Sequence, residues 1–200
     1  MATGTPPRIA PTAEVHPEAI LGEGVSVWDL SQIREGAVIG DDTVIGRNVY
    51  VDRDVRIGRR CKIQNNALVY WPAEIGDGVF IGPGAILTND RHPRAVNSQG
   101  EVKSLDDWSP EGVTIGAGAA IGAGAVILAG VTVGSWALVA AGAVVVRDVA
   151  AHALTAGNPA RQVGWVGKSG HRLAEDGGHL VDPSDGTVYR VNKNSLEAVG

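Results

Sequence analysis

Aliphatic side chains recur at every sixth residue over most of this chain. Ile9, Val15, Leu21, Val27, Ile33, Ile39, Ile45, Val51, Ile57, Ile63, Val69, Ile75, Ile81 and Leu87 form an unbroken series of fourteen. From Ala13 onward a small or short residue stands two positions before each of them: Ala13, Ala19, Val25, Ser31, Ala37, Thr43, Val49, Val55, Cys61, Ala67, Ala73, Val79 and Ala85. The phase lapses after Leu87. It resumes at Ile115, Ile121, Ile127, Val133, Val139 and Val145, with Ala119, Ala125, Val131, Ala137, Ala143 and Val149 in the small slot. An α-helix, with its period of about 3.6, cannot hold such a pattern. In a strand, residues i−2 and i face one side and the residue between them faces the other. The remaining residues of each hexad, often Gly-x-Gly or Gly-Asp-Gly, predict a tight corner with positive φ, which Gly or Asn accepts cheaply. One hexad is therefore one short strand and one corner, and stacked hexads predict an all-β parallel solenoid whose layers hydrogen-bond to one another.

These hexads resemble the hexapeptide-repeat family, and the resemblance implies a left-handed parallel β-helix of triangular coils, three hexads or 18 residues to a coil. The left hand comes from the resemblance alone, since crossover connections are ordinarily right-handed. Twenty hexads then amount to between six and seven coils. Residues 18 apart share an edge or a face. Asp52, Tyr70 and Thr88 stack on one edge, as do Arg53, Trp71 and Asn89. The outward positions just before that edge are Gln32, Tyr50, Leu68 and Ile86, and the last three form an apolar stripe suited to an interface. Members of the family are generally homotrimers with active sites between neighbouring prisms, so a homotrimer is expected. Cys61 falls in a small inward slot and reads as a buried hydrophobe rather than a nucleophile.

Composition narrows the function classes. With 28 Gly, one Phe and 4% aromatic residues, the core must be built from Val, Ile, Leu and Ala. A net charge of −5 argues against a nucleic-acid binder held by phosphate neutralisation. Arg47, Arg53, Arg56, Arg59, Arg60 and Lys62 are a local exception, a basic cluster able to meet a diphosphate. The single Cys excludes an internal disulfide and a Cys-rich zinc site. No run of 18 apolar residues predicts a membrane span, and no charged n-region with an apolar h-region opens the chain, so a soluble cytoplasmic protein is expected. The five His, at 16, 92, 152, 171 and 179, form no close pair on neighbouring coils of one edge, which argues against a γ-class carbonic anhydrase and its three His ligands.

The candidate chemistry lies where the repeat is interrupted or ends. Residues 88–112 leave the hexads as a long loop, and loops on rigid scaffolds commonly carry function. The segments "AGAVVVRDV" and "AGNPAR" resemble the closing coil of hexapeptide acyltransferases. That resemblance implies acetyl-CoA as co-substrate, with no metal. Ala123, Gly124, Ala140, Ala141 and Gly142 would line its pantetheine arm, and Arg147 and Arg161 would meet its phosphates. At the loop root, Phe80, Gly82, Pro83, Thr88, Asn89, Pro93 and Arg94 match the signature of N-acetyltransferases acting on dTDP- or UDP-linked 3-amino sugars, and "QNNALVY" at 64–70 resembles the segment one coil earlier. The implied substrate-binding residues are Asn66, Tyr70, Trp71, Thr88 and Arg94, and the implied catalytic residues are His92, Asn89 and Asp90. His92 beside Pro93 departs from that group and resembles the general base of sugar O-acetyltransferases. An alcohol acceptor needs such a base, whereas a neutral amine is already nucleophilic. Asn89, or a backbone N–H, can stabilise the oxyanion. Asn89 and Asp90 also fit a turn-capping pair at a strand end. The expected protein is thus an N-acetyltransferase, with a sugar O-acetyltransferase or a non-catalytic β-helical assembly subunit as alternatives. The chain divides into a β-helix over 1–165 and a small extension over 166–200, read as two or three short strands.

Overall fold

The computed structural model describes residues 4–192 and 195–199, and it is an all-β parallel solenoid. Among the described residues, twenty two-residue strands run from β1 (Arg8–Ile9) to β20 (Val144–Val145). They stack every third strand into three flat faces. The first face pairs Lys62 with Phe80 and Phe80 with Ala120; the second pairs Tyr50 with Leu68 and Leu68 with Ile86; the third pairs Arg56 with Glu74 and Glu74 with Thr114. The 18-residue register expected from the hexads is therefore present, as the left-handed family fold requires. Both inward slots are filled as read: Ile33, Ile45, Ile63, Ile81, Ile115 and Ile127 interleave with Ala37, Ala67, Ala85 and Ala119 in one continuous core.

Three small slots hold polar side chains, each satisfied by the corner of a neighbouring coil. Ser31 Oγ donates to Gly46 O (2.5 Å), Thr43 Oγ1 donates to Gly58 O (2.9 Å), and Cys61 Sγ donates to Gly76 O (3.1 Å). Burial pushes the Cys61 thiol above its ordinary value, which keeps it protonated and inert. At the N-terminal end of the prism the slots are less well filled, with Ile9 46% exposed.

Positive φ falls on the corners, as expected, but not only on Gly and Asn. Leu30 (φ 59°), Arg60 (φ 55°) and Trp136 (φ 59°) share the conformation. The reason is the cross-coil bond: Arg60 N donates to Asp41 O and Trp136 N to Ala117 O one coil below, and Leu30 N donates to Thr12 Oγ1 in the same way. That bond holds the left-handed geometry against a side-chain cost of about 1–2 kcal/mol.

Two irregularities place the candidate site. After Leu87 the loop intervenes, and Leu87 pairs with Ile127, 40 residues on instead of 18. The last coil is also short: Val133 pairs with Val149 and Leu138 with Leu154, offsets of 16. Val149 therefore takes the aliphatic slot and not the small slot assigned to it from the hexad count, because the Arg147–Asp148 corner is tightened. Asp148 Oδ1 accepts Thr132 N there (2.8 Å).

β21 (Ala153–Gly157) closes the first face, and the chain then reverses through Asn158–Pro159 into antiparallel β22 (Ala160–Trp165). The extension contains four strands rather than two or three: β23 (Ala174–Asp176), β24 (His179–Val181), β25 (Val188–Asn192) and β26 (Ser195–Ala198), paired antiparallel in sequence order. Its core is Leu173, Tyr189 and Leu196, joined to the prism end by Trp165 and by the His152–Tyr189 ring contact (5.9 Å).

Asp182, fully buried, holds this sheet's entry. It accepts Ser169 Oγ (2.5 Å), Ser184 N (2.9 Å) and Ser184 Oγ (2.8 Å). Burial opposes the charge, but these donors prevail and its carboxyl sits below the ordinary value. A depressed folded pKa contributes stability that is full above the unfolded value of about 3.9 and is lost as pH falls through the folded one. Limited proteolysis should therefore cut residues 166–200 selectively in Asp182→Ala at neutral pH, and in the wild type only at acid pH, while the prism stays resistant.

Candidate active site

The edge between the second and third faces gathers most of the predicted chemistry. Asp52 lies at its centre, with its side chain only 14% exposed. Its Oδ1 accepts Arg53 N (2.8 Å) and Tyr50 OH (3.0 Å) and pairs with Arg34 Nη1 (3.5 Å); its Oδ2 accepts Trp71 N (3.2 Å). Arg34 also donates to Tyr50 OH (3.4 Å) and to Glu35 (2.7 Å), which raises its pKa further above the ordinary guanidinium value. Burial, with Asp52 beside it, pushes the Tyr50 phenol up. Tyr50 and Tyr70 meet across one coil with centroids 5.4 Å apart and rings tilted by 51°.

One coil on, Trp71 O accepts Asn89 Nδ2 at 2.7 Å. A carbonyl can only accept, so the nitrogen of the Asn89 amide must point at it and Oδ1 must point away. Asn89 O accepts Glu111 N (3.0 Å), which brings the two ends of the loop together. Arg91 pins the loop to the next coil by donating to Ala129 O (3.0 Å) and pairing with Glu111 (3.6 Å). Trp71 is sandwiched: the Arg53 guanidinium lies 4.7 Å from its ring centroid, and Trp108 of the loop meets it edge-on at 6.4 Å. The basic cluster is thereby partly spent, with Arg53 on Trp71 and Arg59 paired to Asp77 (3.0 Å).

The predicted residues fall into three places. Tyr70, Trp71, Thr88, Asn89 and Asp90 share the loop edge. Thr88 Oγ1 donates to Ile127 O (3.1 Å), and Asp90 Oδ1 accepts His92 N (2.9 Å), the turn cap expected of it. His92 and Arg94 stand exposed on the loop, Arg94 donating to Pro93 O (2.9 Å). Asn66, Ala123, Gly124, Ala140, Ala141 and Gly142 lie on the opposite edge, between the first and second faces. Asn66 Oδ1 accepts Asn48 Nδ2 there (2.9 Å), whereas open space surrounds Gly124 and Gly142 (φ 65° and 68°). A single chain thus keeps the Gly/Ala edge and the loop edge apart, on either side of the second face. Arg147 and Arg161 meet at the C-terminal end, lining a cleft of about 150 Å³ with Gln162 and Thr155. Thr155 is 5% exposed, and its hydroxyl has no hydrogen-bond partner among the described residues.

Asp52, Trp108 and Thr155 were not singled out by their sequence pattern. The 18-residue spacing did place Asp52 beneath Tyr70, and that was the available signal. Trp108 lies in the loop segment that resembles the amino-sugar enzymes, but its contact with Trp71 is set by loop packing; Thr155 carried no signal, since the shortened last coil decides its position. Among the described residues, no three His, Cys, Asp or Glu side chains converge to hold a metal, and no helix is long and apolar enough to cross a membrane.

Known proteins bear on this geometry. A hexapeptide-repeat acetyltransferase of Vibrio cholerae, solved with acetyl coenzyme A, superposes with a TM-score of 0.55 at 27% identity over 66% of this chain and 72% of its own. A perosamine N-acetyltransferase of Caulobacter crescentus, solved with CoA and GDP-perosamine, is 28% identical over 80% of this chain and 58% of its own, with a TM-score of 0.48. A probable serine acetyltransferase of Oryza sativa subsp. japonica is 47% identical over 94 residues, 46% of this chain; the match spans 26% of that relative's length. The model of the bacterial transferase hexapeptide (six repeats) matches residues 18–53, 36–70, 54–89 and 112–147. With more than half of its length matched on the residues that build the coils, this chain belongs to the bacterial transferase hexapeptide family.

Proposed function

We propose that the chain is the subunit of a homotrimeric acyltransferase that moves the acetyl group of acetyl-CoA to the amine of a nucleotide-linked amino sugar. The observation that carries this reading is the orientation of Asn89. With Nδ2 committed to Trp71 O, its Oδ1 is an acceptor facing outward from the loop root, suited to an N–H of a neutral amine. The amine nitrogen attacks the thioester carbonyl, the C–S bond breaks, and the CoA thiolate leaves. His92, presented by the Asp90 turn, takes the proton that the amine sheds. Tyr70 and Trp71 offer aromatic faces to the sugar or its base. Thr88 and Arg94 flank the loop root, and Asn66 belongs to the edge supplied by a second copy.

The geometry supports a second copy at the site. The half-buried apolar stripe Tyr50, Leu68, Ile86, Val126 and Val144 occupies five successive strands of the second face, beyond the polar Glu14 and Gln32 at its N-terminal end. Packing it against a neighbour brings the Gly/Ala edge of one prism to the loop edge of the next. Pantetheine then runs over Ala123, Gly124, Ala140, Ala141 and Gly142, where backbone is bare, and CoA phosphates meet Arg147, Arg161 and the Thr155 hydroxyl. The likeness to the Vibrio cholerae acetyltransferase supports acetyl-CoA, and the loop-root signature supports the amino sugar. A hydroxyl acceptor is the second reading, favoured by His92 beside Pro93 and by the likeness to a probable serine acetyltransferase.

Thiol release from acetyl-CoA, screened against dTDP- and UDP-amino sugars and their hydroxyl counterparts, tests the reaction. Turnover with an amine is expected. Turnover with the hydroxyl series alone supports the second reading, and none with either overturns both. Sedimentation should give about three times the chain mass of 20.6 kDa. A fully active monomer would end the shared-site argument.

A further inference from the structure

We propose that Asp52 is a positioning residue for Asn89, acting through the backbone of Trp71; the proposal rests on Asn89 holding the acceptor group as argued above. The contacts form a continuous line across two coils. Asp52 Oδ2 accepts Trp71 N at 3.2 Å, and Trp71 O accepts Asn89 Nδ2 at 2.7 Å. The carboxylate is itself held from three sides, by Tyr50 OH, Arg53 N and Arg34, all on Oδ1. Oδ2 therefore has one protein partner named by the geometry, the Trp71 amide.

At most corners of the prism two amides are tied across coils: the second bonds a carbonyl of the coil below, as Asn66 N does with Arg47 O and Gly84 N with Asn65 O, and the first can bond an Asx side chain, as Arg47 N does with Asn65 Oδ1 and Arg59 N with Asp77 Oδ1. At the loop edge, Pro72 occupies the corresponding corner position and has no N–H to give. The side chain of Asp52 supplies the cross-coil bond in place of backbone, one residue earlier, at Trp71. The Trp71 carbonyl is then fixed in space, and so is the Asn89 amide that donates to it. Arg53, whose amide shares Oδ1, brings its guanidinium over the same indole, so carboxylate and ring are positioned together. Asp52 touches neither acceptor nor thioester in this arrangement; its effect passes through Asn89.

The test is a double-mutant cycle read by kinetics and by NMR on the full-length chain. Asp52→Ala should lower kcat about tenfold or more, with KM for acetyl-CoA little changed. Asp52→Ala/Asn89→Ala should be no slower than Asn89→Ala alone, because the second change removes a group already misplaced. Asp52→Asn, which keeps an acceptor for Trp71 N, should recover part of the loss. Independently of any acceptor, the Asn89 side-chain NH2 resonances, identified by their disappearance in Asn89→Ala, should shift and exchange faster in Asp52→Ala. That readout separates failure of this proposal from failure of the proposed reaction. Multiplicative losses in the cycle, or an unshifted Asn89 amide in a folded Asp52→Ala chain, would overturn it. Should Asp52→Ala not fold, Asp52→Asn carries both measurements: a shifted Asn89 amide and a loss shared with Asn89→Ala are expected, and an unshifted amide overturns the proposal.

Discussion

Ile63→Asp is expected to leave no folded, soluble chain. Ile63 is fully buried, with Ile45 in register one coil below and Ile81 one coil above. A carboxylate there has no cation or donor in reach of the aliphatic interior, and burying it costs several kcal/mol or more. Whole domains are stable by only about 5–15 kcal/mol. The position is mid-prism, so every coil on either side loses a neighbour on which its hydrogen-bond ladder depends. Ala67→Arg should fail in the same way, since its Cβ faces a core with no room for a guanidinium. Lys62→Asp, one residue from Ile63 but outward and exposed, should change stability by no more than about 0.5 kcal/mol. Soluble yield and thermal melting by circular dichroism read all three. A normal melt for Ile63→Asp would mean that the register is wrong.

The second large effect is at the loop root. His92→Ala is expected to lower kcat by ~10²–10⁴-fold with little change in substrate binding, and to remove the acidic limb of the pH–rate profile, because a base must be unprotonated to act. Asn89→Ala should cost about 10²–10³-fold, the usual worth of a positioned polar group at a reacting centre. A His92→Ala enzyme within about tenfold of wild type would favour proton loss to the departing thiolate instead, leaving Asn89 as the more important residue. Intact activity in both variants would remove the site from this loop altogether. Single-turnover thiol release, measured across pH, distinguishes these outcomes.

How far each residue was legible depends on whether its neighbours come from the repeat. Cys61 was readable as buried because the small slot is set by period alone, and the coil then supplied Gly76 O as its partner. The stacking of Trp71 and Asn89 followed from 18-residue arithmetic, though the bond between them did not, since it depends on which way an amide faces. Leu30 and Trp136 in the left-handed conformation ran against local preference: the corner geometry imposed by the stacked coils prevailed over side-chain propensity. Val149 was misplaced by two residues for a related reason, as counting in sixes cannot detect a tightened corner.

The amino-acid sequence by itself determined the solenoid, its inward-facing residues, the edge from which the loop departs and the apolar stripe beside it. All of these are consequences of a strict period, and a period is a one-dimensional property. Only the tertiary structure decided that the Gly/Ala edge and the loop edge lie on opposite sides of one face, that the buried Thr155 hydroxyl has no hydrogen-bond partner among the described residues, and that Asp52 reaches Asn89 through Trp71. Those features arise between coils and at the irregular ends, where distance in space and direction of a side chain are set by packing and not by spacing along the chain.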